Sequence, residues 1–312
     1  MKKLIALIIV VAAITMCFAG CGNKNSDQVI ATVNGVEIKM SEIEDDIKFV
    51  SKYGQVDMND PKAVDAMILD ILNTYLIDYM CNEELKSLGM TYNRDYYKAS
   101  YASLVEAYGN EETLISHVKS FGLDREYIEN LCIKQARKAT LSEYLTEEYK
   151  KNLKIDEAEI LQYYIENTKA FKTDEVRTFY FVTFKTQDMA NDAIEDIKEN
   201  GFMPYYEAQS TLQVCDYFGI LEHYEKSYFP NSVSSKLFSM EVGTYTEPMS
   251  TFQDSGYTIL YLSEAIKDYT FSYDEMKESI QEGLIEVEVD DYLNNFFKEL
   301  NDKYEVDIVY GK

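Results

Sequence analysis

Five cysteines are the residues of this chain best suited to covalent chemistry, and their spacing separates them into two groups. Cys17 and Cys21 close an apolar run near the start. Cys81, Cys132 and Cys215 are far apart, odd in number and without a Cys-x-x-Cys pair, so they form neither a disulfide framework nor a zinc site. Three buried thiols is one reading, and one disulfide with one free thiol is the other. A nucleophilic thiolate at Cys215 would need a base beside it. The chain has only two histidines, His117 and His223, and nothing in the sequence places either next to Cys215. The paired carboxylates Glu111-Glu112, Glu147-Glu148 and Asp290-Asp291 lack the histidine or the spaced Asp/Asn/Gly loop of a metal or acid–base site, and read as solvated helix faces. No glycine-rich phosphate loop and no serine elbow occurs. No metal and no cofactor is expected.

Cys21 has a context of its own. Lys2 and Lys3 give a basic start, and Leu4 to Met16 is an apolar stretch of secretory-signal length, too short to span a bilayer comfortably. Cys17-Phe18-Ala19-Gly20-Cys21 then resembles a bacterial lipobox, with Phe18 where leucine is usual. That resemblance implies a signal peptide over 1–20, acylation of Cys21 and a polar tether over 21–28. The remainder would be lipid-anchored to the outer face of the bacterial cytoplasmic membrane. An ordinary signal peptide, or an uncleaved anchor, would also put the bulk of the chain outside the cell.

The net charge of −25 becomes about −27 once Lys2 and Lys3 are lost with the leader. Such a chain repels nucleic acid and anionic lipid, which excludes nucleic-acid binding as a main role. Hydrophobic content of 46% with 13% aromatic is too high for an acidic disordered protein. The aromatics are mostly tyrosine, 27 of them, with no tryptophan. Tyrosine can cover a groove with its ring and keep its hydroxyl wet.

The elements that would position these groups are legible from pattern. Asn34-Gly35 between apolar runs predicts a hairpin over 29–39. Ser41-Glu42-Ile43-Glu44 looks like a capping box, and Asp60-Pro61 opens a helix carrying Val64, Ile68, Ile71, Leu72 and Leu76, with Gly89 as its stop. More helices follow between Asp95 and Glu148, one capped by Asp124, and another starts near Asp156. Val176–Phe184 and Tyr257–Leu262 read as strands flanking a helix over 187–200. Ser272-Tyr273-Asp274-Glu275 opens a long last helix, and residues 305–310 read as a short strand.

The ordered set of segments resembles the PrsA/SurA group of extracytoplasmic foldases. The opening Val29–Ile38 with Ser41-Glu42-Ile43, the helix at Ile155–Ile160, and Gly243–Pro248 followed by Asp254–Ile259 carry the likeness, as does Tyr304–Ile308. The resemblance implies an α+β chain. A mostly helical chaperone domain would be built from segments 29–173 and 267–312 together, with a parvulin-like α/β domain inserted over 174–266. Active parvulins typically keep two histidines; here Val176-Arg177-Thr178-Phe179 is followed by Tyr180, and Gly256-Tyr257 by Thr258. Cys215 and Asp216 fall in the eroded stretch where a Gly-Gly-Asp-Leu-Gly sequence is usual. Phe229, Leu237 and Phe238 are loose matches to the proline pocket.

Prolyl isomerisation needs no cofactor and no covalent step, only a lowered barrier of about 18–20 kcal/mol to peptide rotation. With both histidine positions replaced, that activity is expected to be weak or absent. Tyr92, Tyr96, Tyr97, Tyr101 and Tyr108 are candidates for a surface that holds extended apolar segments, or else they pack a core. A sheet edge of the inserted domain could also take an extended peptide by strand addition. The expectation is a membrane-anchored chaperone for unfolded exported proteins, with homodimerisation possible. The alternatives are an active isomerase and a non-catalytic adaptor in a cell-envelope complex.

Overall fold

The computed structural model describes residues 27–54, 56–212, 214–250 and 256–312. Cys17, Cys21, the signal segment and most of the tether lie outside the described residues, as do Asp254 and Ser255. The chain is α+β and divides into two compact units, one of residues up to Lys154 together with Ile285–Lys312, the other Ile155–Leu284.

The first unit starts with strands β1 (Val29–Val33) and β2 (Val36–Lys39), joined at Asn34 (φ 50°) and Gly35 (φ 76°), the left-handed pair that a two-residue hairpin turn demands. Helices α1 (Glu44–Tyr53), α2 (Pro61–Ser87), α3 (Arg94–Ala107), α4 (Glu111–Lys119) and α5 (Arg125–Lys150) follow. Asp60 caps α2 by accepting the Lys62 N–H at 3.0 Å, and Asp124 caps α5 by accepting from Glu126 at 2.9 Å. The expected box at Ser41 is displaced: Ser41 lies inside a 3-10 turn (Met40–Ile43), and Glu42 instead accepts the Lys39 N–H at 2.9 Å. α2 buries Val64, Met67, Ile68, Ile71, Leu72, Leu76 and Met80 against β1, β2 and the end of the chain.

A short strand near the end of the chain completes this unit, because residues 307–308 pair antiparallel with Ala31 and Thr32. Leu300 and Tyr304 sit in the same core as Ile30 and Ile38. The segments before and after the second unit therefore share one sheet and one core.

The second unit holds α6 (Glu157–Glu166), β3 (Lys172–Phe184), α7 (Gln187–Asn200), α8 (Phe202–Leu212), β4 (Tyr217–Glu225), α9 (Asn231–Leu237), β5 (Met249–Ser250) and β6 (Tyr257–Thr270). α10 (Tyr273–Lys303) starts here and ends in the first unit, and β7 (Asp307–Ile308) is the pairing strand just described. The sheet order is β4-β3-β6-β5, all antiparallel. This unit is wider than 174–266. α6 joins it through Tyr164, whose ring stacks on Phe171 at 5.3 Å and whose hydroxyl donates to the Phe271 carbonyl at 2.9 Å.

Candidate functional site

Side chains alternate along a strand, so each face of the β3/β6 pair receives every second residue. One face meets α7 and α8: Tyr180, Val182 and Phe184 from β3 and Tyr257, Ile259 and Tyr261 from β6 pack with Ala190, Ile194, Ile197 and Phe202. The other face carries Phe179, Phe181, Leu260 and Leu262 and meets Phe229, Leu237, Phe238 and Met240 around α9.

Thr183 and Thr258 lie opposite each other in the β3/β6 register on this second face, and their hydroxyls are hydrogen-bonded at 2.8 Å. Both residues are buried. Gly256, two residues earlier, has φ 129°, and a Cβ there would come within 2.5 Å of the Phe184 carbonyl oxygen. Only glycine brings the chain this close to β3, which is how Thr258 reaches Thr183. Two neutral hydroxyls can orient an amide but have no titration near neutral pH with which to move a proton.

The sequence-derived positions do not converge. Tyr180 faces the α8 layer, where its ring meets Tyr206 edge-on at 5.0 Å, three residues along β3 from Thr183 and on the opposite face from Thr258. Cys215 also lies in the α7/α8 core, and burial raises its thiol pKa. Its N–H and that of Val214 donate to Gln209 Oε1, both at 3.1 Å, making buried Gln209 the anchor of this turn. No sequence signal marked Gln209. Asp216 closes the end of β3: its carboxylate accepts the Lys185 N–H at 2.7 Å, and its own N–H donates to Thr183 O at 2.9 Å.

Of the pocket candidates, Phe229 and Leu237 are core residues, 4% and 0% exposed, while Phe238 is half-buried. Arg177 fixes this corner. Its buried guanidinium donates to the carbonyls of Leu237 and Met240, each at 2.9 Å, and to Glu175 at 2.6 Å, and lies over the Phe238 ring. Charge-assisted bonds of this kind hold α9 to the sheet.

The histidines are elsewhere. His223 Nδ1 lies 2.5 Å from Glu275 and 2.8 Å from the Tyr269 hydroxyl. Burial pushes the Glu275 carboxyl up, but hydrogen bonds from Ser272, Tyr269 and His223 outweigh it and lower its pKa to about 2. The Ser272 capping box is formed as read, with Ser272 N–H on Glu275 at 2.7 Å. His117, in the first unit, is enclosed by Tyr108 and Phe121 rings.

The tyrosine series of the first unit is half-buried. Tyr97, Tyr101 and Tyr108 pack on the core of α3, α4 and α5, and Tyr101 donates to Glu111 at 2.6 Å. Tyr92 and Tyr97 lie 6.2 Å apart, with Tyr96 on the same helix. The three thiols are free and buried, and burial pushes Cys81 up to about 12 and Cys132 to about 11.

A cleft of about 620 Å³, missed in the sequence, opens between α1, α2 and α5. Asp46 pairs with Lys134 at 2.7 Å and Asp78 with Arg137 at 2.9 Å on its walls, beside Tyr75, Tyr79 and Tyr127. Its polar groups come from three helices far apart in sequence, so no local motif announces it.

Residues 155–278 match the PPIC-type PPIase domain family. Among curated proteins, none matches the chain. Similar solved structures include a SurA-like chaperone of Campylobacter jejuni, 14% identical over 90% of this chain and 99% of that one, with a TM-score of 0.39. The foldase PrsA from Lactococcus lactis is 15% identical over 91% and 95%, TM-score 0.34. PrsA from Bacillus subtilis is 15% identical over 90% and 93%, TM-score 0.33. The isomerase-type domain read from the sequence is borne out, since a PPIC-type PPIase domain is matched over residues 155–278. Among the described residues, no helix is long and apolar enough to cross a membrane.

Proposed function

We propose, for a chain whose residues 155–278 form a PPIC-type domain, that it is an extracytoplasmic chaperone of the PrsA/SurA kind, anchored by lipid on Cys21. It holds unfolded exported proteins, and its isomerase-type domain serves as a scaffold with little or no catalysis. The observation that carries this reading is the buried Thr183–Thr258 pair on the α9 face of the sheet, with both histidines of the chain placed elsewhere. Tyr180, the other position read against a family histidine, is turned to the opposite layer. What the face retains is apolar: Phe181, Phe238 and Met240 are half-buried around the Arg177-held corner. Such a surface binds without needing a titrating group.

The test is a refolding reaction limited by proline isomerisation, with the chain added in catalytic amounts. The expected result is an unchanged slow phase, together with less aggregation when the chain is stoichiometric with the refolding protein. Acceleration of the slow phase that is lost in Phe238→Ala would show a working isomerase and overturn the scaffold reading. No effect on either readout would favour an adaptor with a fixed partner.

A further inference from the structure

Among the described residues, β4 is an outer strand whose ladder partner is β3, and its free side lacks the usual protection of a sheet edge. The Thr183 carbonyl turns toward β4, where it accepts the Asp216 N–H, so alternation along the antiparallel ladder turns the backbone groups of Phe218 and Ile220 outward. Tyr217, Phe218, Gly219, Ile220 and Leu221 form a stretch with no charge and no proline. Tyr217 is 67% exposed, and Phe218 and Ile220 are each 41% exposed. Proteins normally blunt an edge of this kind with lysine, proline or inward charge.

Charges occur only at the two ends, and both are acidic: Asp216 and Glu222. Asp216 already shares its carboxylate with Lys185 at 3.2 Å, whereas Glu222 is exposed. A second copy laid antiparallel about Gly219 would set Asp216 against Glu222 twice, and a parallel copy in register would set each acid beside itself. Like charges across a strand pair are destabilising. The same two acids complement an incoming strand with a base at each end. Beyond Glu222, His223 has a left-handed backbone (φ 51°) and a side chain held by Glu275 and Tyr269, which bounds the free stretch.

We infer that the outer edge of β4 binds segments of other chains by strand addition, taking an uncharged, β-prone stretch flanked by lysine or arginine. This rests on the proposed reading only in taking the ligand to be an unfolded chain, and names the edge and the peptide chemistry that reading leaves open.

The test uses the full chain and a fluorescent oligovaline peptide flanked by lysines, against the same peptide flanked by glutamates, followed by anisotropy. The lysine-flanked peptide is expected to bind about tenfold tighter, a preference that weakens with salt. Glu222→Lys should remove or invert the preference. Ile220→Pro deletes an outward N–H and no ladder bond, so it should fold normally by circular dichroism and abolish binding. Equal affinities for the two peptides, binding of neither, or unchanged binding in Ile220→Pro overturns the edge site. If the edge fails while aggregation is still suppressed, the chaperone reading stands without it. Flank-selective binding with no suppression of aggregation sinks the chaperone reading instead.

Discussion

Thr183 and Thr258 are worth more as a pair than apart. Replacing either by valine leaves the other hydroxyl buried without its 2.8 Å partner, which costs about 1–3 kcal/mol. Replacing both removes the two polar groups together, and the double variant is expected to lie close to the parent in urea unfolding. A double-mutant cycle in which the losses simply add would show that the two hydroxyls do not depend on each other. Half of this pair was visible in the sequence. Thr258 follows Gly256-Tyr257, and the glycine marks the close approach of β6 to β3. Thr183 was not visible, because which β3 residue faces Thr258 is set by the register between strands 75 residues apart. A match counted along one strand pointed to Tyr180, which a parity of one sends to the other face.

At the scale of elements, the start of α10 is tied to β4 and β6 by Glu275, and this tie is sensitive to acid. The Glu275 carboxyl has a folded pKa of about 2 against an ordinary 4.5. Its contribution is therefore complete above the ordinary value and is lost as pH falls through the folded one. Glu275→Gln should flatten the part of the acid-unfolding curve between roughly pH 5 and 2, measured by chemical denaturation at stepped pH. An unchanged slope there would mean that other carboxylates govern that limb.

The elements themselves were unevenly legible. α2, α5, β3, β6 and α10 carry long apolar periodicities and caps, and the structure has them. α8 was not read because Phe202, Met203, Tyr205 and Tyr206 are consecutive around Pro204 and leave no helical stripe. α9 is seven residues long and serine-rich, and buries only Ser234 and Leu237. β4 leaves no sequence signal because Tyr217-Phe218-Gly219-Ile220-Leu221 carries apolar residues on both its exposed and its half-buried face, so the sequence does not alternate although the burial does. The cleft lined by Asp46, Asp78, Lys134 and Arg137 was illegible for a different reason, since packing of helices brings its ion pairs together.

For the whole molecule, the decisive feature is that the chain closes on itself. β7 pairs with β1, Asn34 N–H donates to Tyr304 O at 2.9 Å, and the Tyr310 hydroxyl reaches Asp65 at 2.8 Å. Removing residues 305–312 takes away the β7 pairing and the Tyr310–Asp65 bond, together with Val306, Ile308 and Tyr310 from the core that contains Ile30 and Ile38, and leaves only the Asn34–Tyr304 bond of the three. Hydrogen exchange at Thr32, whose backbone faces β7, is expected to rise markedly in the truncated chain, while Val182 and Ile259, in the core of the other unit, stay protected. Protection lost equally in both places would show that the two cores do not open separately.

The same closure sets an order of events. A ribosome makes β1 among the first residues of the folded part and β7 among the last, so β1 waits for almost the entire chain before its outer side is paired. The second unit, Ile155–Leu284, is contiguous and can complete itself earlier, because none of its strands needs a partner from outside it. Through that interval the first unit exposes an unfinished sheet edge of its own. The protein thus passes through the vulnerable condition that it is proposed to guard against in others.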